Sequence, residues 1–121
     1  MNESEMKNRT KQMALRVIKM VESLPKNRVS MVFTDQILRS STSTAANYRA
    51  ACRAKSKADF IYKLGIVEEE SDETEFWIEM IIDAGLIPSE KMIDLKNEVN
   101  QITKIISASK ITASKNYKSK N

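Results

Sequence analysis

Residues 57–84 read KADFIYKLGIVEEESDETEFWIEMIIDA. Within them Phe60, Leu64, Val67, Ser71, Thr74, Ile78 and Ile81 recur at alternating steps of four and three. Such steps put all seven side chains on one stripe of an α-helix, because 3.6 residues complete a turn. Trp77 and Met80 flank the stripe, and acids fill the opposite face. Ser56-Lys57-Ala58-Asp59 before it resembles a capping box with Asp at the fourth position, and Gly85 after it is a natural C-cap.

The same period extends in both directions. A first helix is predicted over about 4–24, with Met13, Val17, Met20 and Leu24 on its stripe, and Pro25 ends it. Asn27 caps a second, over 27–55, whose stripe is Val29, Phe33, Ile37, Ser40, Thr44, Asn47, Ala51 and Ala54. The hydroxyl run Ser40–Thr44 weakens helix locally and leaves a loop as the alternative. The stripe nevertheless keeps its phase across that run. The third helix covers 57–84 and the fourth 88–109, burying Met92, Leu95, Val99, Ile102 and Ile106. The basic stretch 110–121 loses apolar periodicity and is expected to fray. Short connections make consecutive helices antiparallel neighbours, so the fold class expected is all-α, an up-down-up-down four-helix bundle in one domain, 1–109.

Composition agrees. Two glycines and two prolines in 121 residues supply too few turns for a sandwich or barrel. The lone Cys52 excludes an internal disulfide framework and reads as a small packing residue. With no histidine, Ser–His and Cys–His catalysis and His-bearing zinc sites are absent. No signal-like segment or membrane-length apolar run is evident, so the cytoplasm is the expected location.

Charge is segregated. Residues 1–63 carry 13 Lys/Arg and 5 Asp/Glu, residues 64–98 carry 2 and 11, and residues 99–121 carry five lysines and no acid. Arg49, Arg53, Lys55, Lys57 and Lys63 gather around the second turn, with Arg49 and Arg53 on one helix face. They are candidates for phosphate contacts, against the plainer reading of a solvated helix end. The acids, including Glu69 and Glu73 at i,i+4, suit an exposed stripe better than a metal site, since di-iron bundles also use histidine. No enzymatic activity, metal or cofactor is expected.

Counting outward from the turn near Ser56 puts Arg39 level with Glu73, and Asn47 level with Gly65. A half-buried or interfacial Arg39–Glu73 pair is expected, against a solvent-facing one. Gly65 is expected to permit close helix approach to the small run Ala45–Ala54. Phe76 and Trp77 are adjacent and cannot share a narrow core, so one of them, with Tyr48 or Tyr62, is a candidate for a subunit interface; a wide apolar face inside the bundle is the alternative.

At Gln36–Ser43, Asn47–Ser56, Asp59–Ile66 and Glu73–Trp77 the sequence resembles the bacterial family of 23S rRNA intervening-sequence proteins. The resemblance covers about 8–108. It departs where many members have Asn-Ile-x-Glu-Gly and this chain has Asn47-Tyr48-Arg49-Ala50-Ala51. It implies a four-helix bundle, no known enzymatic activity and commonly a homopentamer. A related group, accessory proteins of diversity-generating retroelements, forms pentameric barrels that bind nucleic acid and a reverse transcriptase. The ribosomal label reflects where such genes lie. The functional expectation is therefore an oligomeric, non-catalytic bundle that binds RNA or DNA without sequence preference. The alternative is a protein-interaction scaffold whose charge asymmetry serves ring assembly and partner docking.

Overall fold

The computed structural model describes residues 1–120. It holds four helices and, among the described residues, no strand: α1 Glu3–Val21, α2 Arg28–Ala51, α3 Lys57–Asp83 and α4 Ser89–Lys120. Three side chains start them. Asn2, Asn27 and Ser56 accept from the backbone N–H groups of Glu5, Ser30 and Asp59 at 2.8, 3.0 and 3.1 Å, each pairing an N–H that has no partner in the first helical turn. Asp59 reaches back to the Lys55 N–H at 3.4 Å, one residue beyond the Ser56 N–H that a strict capping box would use. At the end of α3, Gly85 adopts φ 73°. The Leu86 N–H bonds the Ile81 carbonyl and the Gly85 N–H that of Ile82, a Schellman closure that needs the left-handed residue.

The core follows the stripes. Leu64, Val67, Ser71, Thr74, Ile78 and Ile81 of α3 are buried, as are Met92, Leu95, Val99, Ile102 and Ile106 of α4 and Met13 and Val17 of α1. α2 runs unbroken through Ser40–Thr44. Its buried hydroxyls find partners there: Thr44 donates to the Ser40 carbonyl at 2.8 Å and Thr74 to the Ser40 hydroxyl at 2.9 Å. Across α3 and α4, Ser71 and Thr103 hydroxyls meet at 2.6 Å. A layer of satisfied hydroxyls thus crosses the middle of the apolar core, avoiding the cost of burying unpaired polar atoms.

The α2 stripe differs from expectation at both ends. Ser30 is buried and Val29 exposed; Tyr48 is buried, and Asn47 is half-buried with its amide turned back to the Ser43 carbonyl at 2.8 Å. At the second of these ends, Thr44 can be followed inward by position 47 or 48, and the large aromatic ring gains more from burial than an amide that can bond its own helix; nothing in the structure explains why Ser30 is buried in place of Val29.

The ends also move. α1 and α2 stop three to four residues early, although Leu24 beyond α1 still packs into the core. The stretch expected to fray is helical to Lys120; Asn121 lies outside the described residues. It contains no glycine or proline, and Lys110 at its start is tied to α3. The Lys110 ammonium lies 2.5 Å from Glu68, whose other oxygen accepts from the Ser107 hydroxyl.

α2 packs most closely on α3 and α3 on α4, whereas α1 leans on α2 and touches α4 far less. One polar clamp joins that weaker seam. Arg9 grips Glu98 with two bonds of 2.7 and 2.8 Å and adds Gln101 at 2.7 Å.

Candidate nucleic-acid interface

Four of the chain's cations surround one groove between α1 and α2, of about 550 Å³. Lys7 and Lys11 come from α1; Arg49 and Arg53 come from the end of α2 and the turn after it. Lys7 and Lys11 are four residues apart and so point the same way from α1. Ala14, Leu15, Ile18, Ala45 and Ala46 supply apolar lining, with Asn8 and Thr42. No acid lines the groove, and among the described residues none of the four cations stands in an ion pair. Unpaired cations around a concavity with low-dielectric walls concentrate positive potential there.

The basic cluster expected at the second turn is therefore divided. Arg49 and Arg53 share the groove, joined by Lys7 and Lys11, which the sequence reading omitted. Lys57 faces elsewhere, lining a second cavity of about 720 Å³ with Phe60, Cys52, Ile105 and residues of α4. Lys63 is bound to Asp59 at 2.9 Å, and Lys55 is exposed on the turn. Position along the chain gives no sign of this grouping, since Lys7 and Lys11 lie about 40 residues before Arg49 and Arg53.

Arg39 Nη2 lies 2.5 Å from Glu73 Oε2 and Nη1 lies 3.7 Å from Glu70. The Arg39 side chain is 53% exposed, so the pair sits at the surface of the chain and not in the half-buried setting expected of it. Glu70 is deeper: burial pushes its carboxyl upward, Arg39 draws it back, and Glu73 and Glu69 push the same way as burial.

The aromatic candidates separate cleanly. Tyr48 is only 7% exposed and belongs to the core of the bundle, which corrects its place among the interface candidates; burial beside Cys52 holds its phenol well above the ordinary range. Trp77 turns inward onto Phe33, ring centres 5.5 Å apart, and Phe76 meets its edge at 5.0 Å. Phe76 and Tyr62 point outward, 48% and 68% exposed. Gly65 has nothing within 4 Å of where a Cβ would stand, which overturns the close approach expected there; nothing in the structure explains the glycine. Ala45 and Ala46 serve the α1–α2 groove instead. Burial raises the Cys52 thiol above its ordinary value, which disfavours the reactive thiolate.

Residues 2–108 match the family model for the 23S rRNA-intervening sequence protein. The chain belongs to that family. It is also similar to a crystal structure described as a protein of unknown function from the S23 ribosomal protein family of Bacteroides thetaiotaomicron. The two are 34% identical, with a TM-score of 0.83, over 91% of this chain and 98% of that one. Comparison with curated proteins returns no match. The family match spans both helices of the basic groove, and no described helix is long and apolar enough to cross a membrane.

Proposed function

We propose that this family member is a non-catalytic helical bundle of the cytoplasm that binds nucleic acid, RNA or DNA, through the α1–α2 groove. One observation carries the reading: Lys7, Lys11, Arg49 and Arg53 converge there without carboxylate partners. Cations gathered around one groove displace counterions from phosphates, and the released ions drive association. Contacts of this kind position a backbone and read no bases, so binding is independent of sequence.

The bundle in this reading is antiparallel, up-down-up-down. Cross-helix pairs support it: Phe33 with Trp77 and Arg39 with Glu73 between α2 and α3, then Glu68 with Lys110, Glu75 with Asn100 and Glu79 with Lys96 between α3 and α4. In each set one number rises as the other falls.

Fluorescence anisotropy with a labelled RNA at low salt tests the proposal. Replacing Lys7, Lys11, Arg49 and Arg53 together by Gln should weaken binding at least about a hundredfold, whereas Lys57→Gln with Lys63→Gln should change it little. Equal losses for the two variants would contradict the groove, and no binding by the unaltered chain would contradict the function.

A second reading has its own observation. Tyr62, Glu69, Asp72, Phe76 and Glu79 form an exposed stripe on α3, acidic and aromatic together. Such a face suits a basic surface on the next copy, and a heterologous contact of that kind can close into a homopentamer that serves as a scaffold. Light scattering on the unaltered chain and on Phe76→Glu separates the readings. Loss of a ring in the variant, with RNA binding intact, assigns α3 to assembly and the groove to nucleic acid.

A further inference from the structure

The groove is not uniform along its length. On α1 the cations Lys7 and Lys11 give way to Leu15 and Ile18; on α2, Arg53 and Arg49 give way to Ala46 and Ala45. One end is therefore cationic and the other apolar. Leu15 and Ile18 are 46% and 41% exposed, and they gain by being covered with something other than water.

We infer that the groove takes a single strand in preference to a duplex, with phosphates at the cationic end and an unstacked base against Leu15 and Ile18. The inference rests on the nucleic-acid reading above. A duplex presents phosphates and sugars outward and keeps its base faces stacked inside, so it can use the cations but leaves the apolar end wet. A single strand can splay a base out and bury its face. Ala45 and Ala46 line the same groove with side chains small enough to leave room for a flat ring. No aromatic ring lines the groove, so the base is covered by aliphatic surface, and any preference among bases is slight.

The full chain is titrated into a labelled RNA of about 12 nucleotides, single-stranded or annealed to its complement, at fixed low salt. The single strand should bind about tenfold more tightly, the worth of roughly one buried base. Ala46→Leu fills the slot from an exposed position, and an unchanged melting temperature verifies that it folds. It should weaken the single strand severalfold and leave the duplex unchanged. Equal affinity for the two RNAs, or equal loss for both in Ala46→Leu, overturns the inference while the nucleic-acid reading stands. Failure of both RNAs to bind removes the two together.

Discussion

Arg39 holds Glu73 at 2.5 Å yet keeps 53% of its side chain in water, and an exposed pair of this kind is worth about 0–1 kcal/mol. A double-mutant cycle on Arg39→Ala and Glu73→Ala, read by urea unfolding, should give a coupling under about 1 kcal/mol; several kcal/mol would mean that a further surface desolvates the pair. Glu70 carries the less expected energetics. Its folded-state carboxyl is shifted upward, chiefly by burial, so its contribution to stability is present below the ordinary value of 4.5 and lost as pH rises through the folded value. At neutral pH the charge costs stability. Glu70→Gln should therefore raise the melting temperature at pH 7, and the gain should vanish on acidification. Gly65→Ala should stabilise by about 1 kcal/mol, since a helical glycine is replaced where a methyl group meets nothing. Level counting read the Arg39–Glu73 pairing from sequence, but it carried no information on how far either side chain stands from water, nor on what Gly65 faces.

Among the elements, α3 was the most legible, because it offers a single apolar phase bounded by a capping serine and a glycine; α4 was as legible only at its start, where Pro88 precedes the stripe. α2 was legible in its middle and ambiguous where Val29 competes with Ser30 and Asn47 with Tyr48. There the choice depends on which neighbours are present. The helical end of α4 was hidden for a related reason: Lys110 owes its order to Glu68, 42 residues away, and no local period announces such a partner. The Arg9–Glu98 clamp, 89 residues apart, was equally invisible. Both carboxyls are held below the ordinary value of 4.5, Glu68 chiefly by hydrogen bonding from Lys110 and Glu98 by hydrogen bonding from Arg9. Their stabilisation is present above 4.5 and lost as pH falls through the lowered values. Melting temperatures followed downward from pH 6 should fall across that window. Arg9→Ala should cost about 1–2 kcal/mol at pH 7 and flatten the fall; an unchanged pH profile would remove the clamp from the seam between α1 and α4.

At the scale of the whole molecule, the sequence already displays a basic front, an acidic centre and a basic end. The fold spends Lys63, Lys96, Lys110, Arg9 and Arg39 in ion pairs and leaves Lys7, Lys11, Arg49 and Arg53 around one groove. Only Arg49 and Arg53 of that set are legible in the sequence, where they lie near one another along the chain; the groove adds Lys7 and Lys11 from across the α1–α2 turn. The central claim is that these four cations meet phosphates, and the salt dependence of RNA binding tests it most directly. Each phosphate contact on a single strand contributes about −0.7 to the slope of log K against log salt. The unaltered chain should give a slope of about −2 to −3, and Lys11→Gln with Arg49→Gln should reduce its magnitude by about 1.4. A slope near zero, or one that the two substitutions leave unchanged, would contradict the assignment.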